Sequence, residues 1–213
     1  MIAQTACETT SVGDAGSVRG PVLLALARNA IAYSFESVIP PVVSVTEPDV
    51  DAYPWLHERA ACFVTLHSVP SDVRRHGPPR LRGCIGTIDP YRSLLEDVRG
   101  NAVAAAFRDP RFPPLPRAAY PHLRVEVSVL SERERLSFAD RADVIGQLRP
   151  GLDGLILTYE GRRGTYLPQV WAQLPEPDAF LTSLVTKARL PAGFWSDDIE
   201  VWRYTVAAFK EDR

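Results

Sequence analysis

Two short segments hold the residue types most able to do chemistry: Leu81-Arg82-Gly83-Cys84-Ile85-Gly86-Thr87 and Asp109-Pro110-Arg111-Phe112-Pro113-Pro114. Cys84 lies between two glycines, two residues after an arginine. The thiolate is the form that attacks electrophiles, and a neighbouring cation favours it. Gly83 and Gly86 allow a close backbone approach or a positive φ, which reads as room for a ligand. On a strand, Arg82 and Cys84 face the same way. Asp109 and Arg111 flank a proline in a rigid turn. The carboxylate can move a proton, and the guanidinium can grip a carboxylate or phosphate in a forked geometry.

Other candidates surround these. Glu126 sits on the polar face of an otherwise apolar strand, where burial would suit it to general-base work. Thr65 and Thr87 can donate hydrogen bonds to a ligand, and Gln169, following Leu167-Pro168, can aim an amide into a cleft. Each residue also has a plain reading: a packed thiol, a local salt bridge, a solvent-facing glutamate, a side chain bound to backbone. Cys62, between Ala61 and Phe63, reads as core. His67 and His122 lie at strand ends from which either can approach Cys84. His57 and His76 complete the set of four, and none has metal-ligand spacing. The expectation is no metal site and no cofactor, since neither a P-loop nor a GxGxxG motif is present.

These residues need a scaffold, and the chain has 213 residues with 46% hydrophobic and 23% charged content. That suits one globular domain or two small lobes. The net charge of −2 exerts no overall pull toward nucleic acid or membrane. Residues 72–117 are locally basic, with nine arginines against five acids, and can draw an anion. The four tryptophans do not interleave with that stretch, which counts against a stacking platform for single strands. Three cysteines without metal spacing fit a reducing compartment. No apolar run reaches membrane-spanning length and no signal peptide is visible, so a cytoplasmic location is expected.

Residues 1–18 read as a disordered tail. A helix is expected from Arg19 to Ser37, with Pro21 in its first turn and Pro40-Pro41 ending it. Strands are expected at 61–67 and 81–87, separated by a long polar loop over 68–80. A second helix covers 93–107, loosened by Gly100. Residues 123–130 alternate cleanly, as a half-buried antiparallel strand does. A short helix over 139–148 precedes a hairpin, 154–159 and 163–167, turned by Glu160-Gly161-Arg162. A helix over 177–188 and one long strand-like segment over 199–209 finish the chain. This order, without a βαβ repeat, predicts an α+β fold: a mostly antiparallel sheet with packed helices.

At this point the residues match a known family. Phe63-Val-Thr-Leu66, the Arg-Gly-Cys-Ile-Gly segment, Asp-Pro-Arg-Phe-Pro-Pro, Val125-Glu-Val-Ser-Val-Leu130, Leu167-Pro-Gln-Val170 and Lys187-Ala188 make the chain resemble the AMMECR-one domain family, protein A of the AmmeMemoRadiSam system. The resemblance spans about residues 20–210. It implies one domain over 19–213, two lobes around a cleft holding the cysteine motif. It also implies a link to Memo-like and radical SAM proteins. The family has no settled biochemical activity. Arg162-Arg163 in the hairpin depart from its pattern.

Two function classes remain. In the first, Cys84 is a nucleophile or covalent carrier for a small anionic or carbonyl ligand; Arg82 and Arg111 hold charge and Glu126 or Asp109 moves protons. In the second, the same residues bind a peptide, a nucleotide or nucleic acid without chemistry, or the chain is an interaction subunit.

Overall fold

The computed structural model describes residues 15–35, 47–69 and 79–212. The chain forms two compact units. The first comprises residues up to 87, 92–127 and 209–213; the second comprises 88–91 and 128–208.

One sheet, in the order β2-β1-β3-β8, is made of β1 (Cys62–Ser68), β2 (Arg80–Gly86), β3 (Leu123–Leu130) and β8 (Val206–Lys210); β1, β2 and the first part of β3 lie in the first unit. Helices α1 (Ala15–Tyr33) and α2 (Leu94–Phe107) accompany it. Along β1, Cys62, Val64 and Leu66 are fully buried while Phe63, Thr65 and His67 are half-buried. The buried side faces α2: Gly83, the register partner of Leu66, lies against the Ala105 backbone of that helix. Leu23, Leu26, Ala27 and Ile31 of α1 and Val98, Ala102 and Ala105 of α2 complete this core. Fully burying one such leucine contributes about 1.5–3 kcal/mol.

Helix α2 starts on a capping box. Ser93 Oγ accepts the Glu96 N–H, and Glu96 Oε2 accepts the Ser93 N–H. One turn in, Asp97 is wholly buried. Its carboxylate accepts from Cys62 N at 2.8 Å, Thr87 Oγ1 at 2.6 Å, Asn101 Nδ2 at 3.0 Å and Arg92 Nε at 2.8 Å. Gly100 makes room for Arg92, whose Nη1 lies 2.6 Å from where a Cβ would sit. The glycine that weakens the helix on propensity therefore admits the cation that balances Asp97.

The second unit has a sheet ordered β4-β7-β5-β6, with β4 at Glu134–Arg135, β5 at Gly154–Tyr159, β6 at Arg162–Tyr166 and β7 at Glu200–Tyr204. All its pairs are antiparallel. Helices α3 (Arg141–Gln147) and α4 (Pro177–Lys187) belong to this unit. Phe180 stacks on Trp171 with centroids 3.8 Å apart, and Leu181, Leu184 and Val185 are buried beside them. The β5–β6 turn needs only Glu160 and Gly161, with φ of 45° and 75°. Two successive positive φ values match the right-handed twist of a hairpin.

The α+β architecture is as expected, with corrections in its parts. Helix α1 starts at Ala15, so Pro21 lies inside it and not in the first turn. Residues 1–14, the polar stretch 70–78 and Pro40-Pro41 lie outside the described residues. The segment read as one strand over 199–209 is two strands in different sheets. They part at Thr205, whose N–H and C=O are taken by Ser131 Oγ and Ser131 N. The strand β4 had no sequence signal.

Asp89 is gripped by two guanidinium groups, Arg163 at 2.7 Å and Arg133 at 2.6 Å. Their hydrogen bonds, Arg163 first, bring its carboxyl down to about 2. The depressed value means stability that is present above the unfolded value of about 3.9 and lost as pH falls through the folded one. Asp89 is 56% exposed, so screening limits the gain to about 1 kcal/mol or less. Urea titrations of Asp89→Asn against the parent should differ by that amount at pH 7 and by only a small part of it at about pH 2. An undiminished difference at pH 2 would remove the charge from the explanation.

Candidate functional site

Among the described residues strand β2 is an edge strand, with no neighbouring strand on one side of its backbone. The Asp109–Phe112 turn fills that place with side chains. Cys84 N–H donates to Asp109 Oδ2 at 2.8 Å, and Cys84 O accepts from Arg111 Nη2 at 3.1 Å. One residue thus receives both bonds that an absent strand would have made, which also blunts an open edge.

Asp109 is itself saturated. Oδ1 accepts Arg111 N and Nε at 3.1 and 2.9 Å, and Oδ2 accepts Arg111 Nη2 at 2.7 Å besides Cys84 N. These bonds, those from Arg111 first, hold its carboxyl well below the usual carboxylate range. Near neutral pH it is an ionised anchor with its acceptor positions occupied. The geometry gives Asp109 a positioning role, not the proton-moving one expected.

The Cys84 side chain turns to the sheet face opposite α2 and is half-buried. Its register partner is Thr65. Because both backbone groups of Cys84 point away from β1, this is a non-hydrogen-bonded pair, the kind that brings side chains closest. Thr65 Oγ1 donates to Cys84 Sγ at 3.3 Å. Arg111 is the cation coupled to Cys84. Asp109 is the first cause of its raised basicity, and Cys84 contributes to it.

Arg82 does not play that part. The register passes from Leu66↔Gly83 to His67↔Leu81, leaving Arg82 as the extra residue of a β-bulge. Its Nη2 donates to Pro113 O at 2.6 Å and its guanidinium lies 5.7 Å from the Phe112 ring centroid. Arg111 lies 5.5 Å from the same ring. Phe112 therefore fixes two arginines at once, adding attraction to packing. Arg82 Nη1 is buried with no hydrogen-bond partner among the described residues.

The two glycines serve packing. A Cβ on Gly83 would sit 2.1 Å from Ala105 O, and one on Gly86 would sit 2.2 Å from the Phe63 ring. Thr87 is spent on Asp97. Glu126 is ion-paired to Lys210 at 3.2 Å with its side chain 14% exposed. Gln169 is exposed on the 3₁₀ turn Pro168–Ala172 of the other unit. Among the described residues the only hydrogen-bond partner of the Cys84 sulfur is Thr65, so neither His67 nor His122 forms a Cys–His dyad with it. His76 lies outside the described residues. Burial, with the Asp97 charge beside it, pushes the Cys62 thiol well above its ordinary value and makes it inert. No group of histidine, cysteine and carboxylate side chains able to hold a metal occurs among the described residues.

The structure thus brings together Cys84, Thr65, Arg111, Asp109 and Arg82. Phe112 and Lys210 were missed as contributors. Phe112 stood inside the motif without a role, and Lys210 gave no local signal.

The family model for AMMECR1 matches residues 24–209. The chain belongs to the AMMECR1 family. A Thermofilum pendens protein is 33% identical over 94% of this chain and 93% of its own length. A Thermotoga maritima protein is 36% identical over 78% of this chain and 87% of its own. The crystal structure of an uncharacterised protein from Pyrococcus horikoshii superposes with a TM-score of 0.71 at 33% identity, covering 91% of each chain. These AMMECR1-family relatives carry no stated activity, so the chemistry has to be argued from the site. No helix of the described residues is long and apolar enough to cross a membrane.

Proposed function

We propose that this AMMECR1 protein acts through Cys84 as a thiol nucleophile or covalent carrier for a small anionic or carbonyl ligand. One observation carries the reading: a half-buried sulfur accepts the Thr65 hydroxyl at 3.3 Å on a strand residue clamped by Asp109 and Arg111. Fixing the backbone at both polar groups gives the thiol a defined direction. Arg111, its side chain 53% exposed, offers Nη1 for a ligand oxygen because Nε and Nη2 are already bound. Its fork is pre-oriented, so little freedom is lost when an oxyanion docks.

Family membership supports a place beside Memo-like and radical SAM proteins as one component of a modification pathway in the cytoplasm. The alternative is a binding module for a peptide, nucleotide or nucleic acid, or an interaction subunit. Binding that weakens steeply with salt while Cys84 stays unreactive would favour the nucleic-acid form of it.

The test compares iodoacetate with neutral iodoacetamide at pH 7, with peptide mapping to separate Cys84 from Cys62 and Cys7. Cys84 should react faster than Cys62. Its preference for the anionic reagent should exceed that of free cysteine by about fivefold, since one added charged hydrogen bond contributes about 1 kcal/mol or more. Arg111→Ala should abolish that preference. A Cys84 as slow as Cys62 would overturn the nucleophile reading, and a preference equal to that of free cysteine would overturn the anion seat.

A further inference from the structure

Three exposed cations gather at one end of the second unit: Arg162 of β6, Lys187 in the last turn of α4 and Arg189 just beyond it. None has a carboxylate within ion-pair distance among the described residues. Arg162 Nη1 donates to Arg189 O at 2.6 Å, and Lys187 Nζ lies 4.5 Å from the Tyr166 ring centroid. Arg162 and Tyr166 share a strand face with Gly164, and the end of α4 lies on that face. A Cβ on Gly164 would sit 2.7 Å from Leu184 O and 3.0 Å from Ala188 N. The helix closes with Arg189 N–H on Thr186 O at 2.9 Å and Leu190 N–H on Val185 O at 3.2 Å. This closure puts Arg189 in the left-handed region, φ 61°, where glycine is the ordinary residue. A helix C-terminus favours cations, which accounts for Lys187. It does not call for a side chain at a strained position, nor for Arg162 from a neighbouring strand. Strain that a fold keeps is a pointer to use.

Beside these cations the backbone is open. Among the described residues β6 is an edge strand, and the elements packed most extensively on it are β5 and α4. The register shows which groups it presents. Leu136 N–H donates to Val201 O, so Val201 turns its backbone groups away from β5. Its β5 partner, Leu157, therefore turns to β6 and faces Gly164 as a hydrogen-bonded pair. Arg163 and Thr165 are left with N–H and C=O directed out of the sheet. We propose that this edge, with the basic face beside it, takes an extended acidic segment of a protein partner as an added strand. Main-chain bonds to Arg163 and Thr165 would hold the segment. Its alternate carboxylates, on the α4 side, would meet Arg162, Lys187 and Arg189. Arg163 is already paired with Asp89 on the other face. Charge selects the occupant. A second copy of this edge would bring arginines against arginines, which opposes pairing. The surface belongs to the second unit, and the inference does not rest on Cys84 as the reacting group.

The experiment titrates the full chain, ¹⁵N-labelled, with a capped peptide alternating Glu and Thr, with its Gln–Thr counterpart and with a deoxythymidine oligonucleotide. In low salt the Glu peptide should bind about tenfold tighter than the Gln peptide, as three exposed charge pairs together predict. Raising the salt to about 0.5 M should remove most of that difference. Amide exchange should slow at Arg163 and Thr165 when the Glu peptide is bound, and not at Arg162 and Gly164, whose N–H groups already serve β5. Lys187→Gln should weaken the Glu peptide about threefold, the share of one such pair. Arg189→Gly should weaken it as much while keeping or raising the urea midpoint, because glycine relieves the left-handed φ. Equal binding of the Glu and Gln peptides would overturn the proposal. So would a bound Glu peptide that leaves exchange at Arg163 and Thr165 unchanged, since the cations would then hold an anion without adding a strand. Tighter binding of the oligonucleotide than of the Glu peptide would assign the basic face to nucleic acid instead. An Arg189→Gly protein of unchanged affinity would leave the strained arginine without this use and overturn its part in the surface. Each result is read apart from the alkylation of Cys84, so failure here leaves the thiol reading to its own test.

Discussion

Replacing Asp97 with alanine should cost the fold about 3–5 kcal/mol, the usual loss when one member of a buried ion pair is removed. The carboxylate accepts four hydrogen bonds while its side chain is only 1% exposed. Removing it strands the Cys62 N–H, the Thr87 hydroxyl, the Asn101 amide and the Arg92 guanidinium. Arg92 is 25% exposed and regains some water, whereas the Cys62 N–H and Asn101 Nδ2 lie in buried residues. Asp97→Asn keeps the volume but turns one acceptor into a donor aimed at donors, so about 2–3 kcal/mol should still be lost by the cost of unmade bonds. Urea unfolding followed by far-UV circular dichroism measures both. The midpoint should fall without a change in slope. A loss under about 1 kcal/mol for Asp97→Ala would show that water replaces the carboxylate, and that the network is surface-like despite its depth.

That network shows where sequence reading stops. Strand β3 was legible because its alternation reports a half-buried face directly, and α2 because it is rich in alanine; its Ser93–Glu96 cap came only with the structure. Asp97 and Asn101 are also spaced as neighbours on one helix face. Nothing local says that this face meets the Cys62 backbone. The 199–209 segment failed differently. Apolar alternation continues through Thr205, but the change of sheet is decided by Ser131, far away in sequence. At the candidate site the residue types were legible and their roles were not. Asp109 was read as a proton carrier because an Asp beside a motif cysteine invites that role. Its real task follows from β2 being an edge strand with unfilled backbone groups, a topological fact. Arg82 was placed beside the sulfur by alternation, and a bulge at that very residue breaks the alternation and gives the place to Arg111.

The glycine before Cys84 carries the second large effect. Gly83→Ala should destabilise the protein by about 3 kcal/mol, the upper end of ordinary overpacking. The added Cβ would meet Ala105 O at 2.1 Å and Ala105 C at 3.0 Å. Both are backbone atoms of α2, which cannot swing aside as the tip of a side chain can. Either β2 lifts from the helix or α2 shifts within a core that contains Val98 and Ala102. Lifting β2 also strains the neighbouring bonds that orient the thiol, Cys84 N to Asp109 at 2.8 Å and Thr65 to Sγ at 3.3 Å. The alkylation rate of Cys84 should therefore change along with stability. Ala105→Gly should not rescue Gly83→Ala, because it removes a methyl and leaves the opposing carbonyl in place. Gly86→Ala differs in kind: its nearest obstacle at 2.2 Å is the Phe63 ring, and Cys62 O stands at 2.7 Å behind it. Phe63→Ala should recover part of the loss at Gly86 and none at Gly83. Rescue of Gly83→Ala by Ala105→Gly would mean that the helix, not the strand, yields. The close approach of β2 to α2 would then not be what aims Cys84.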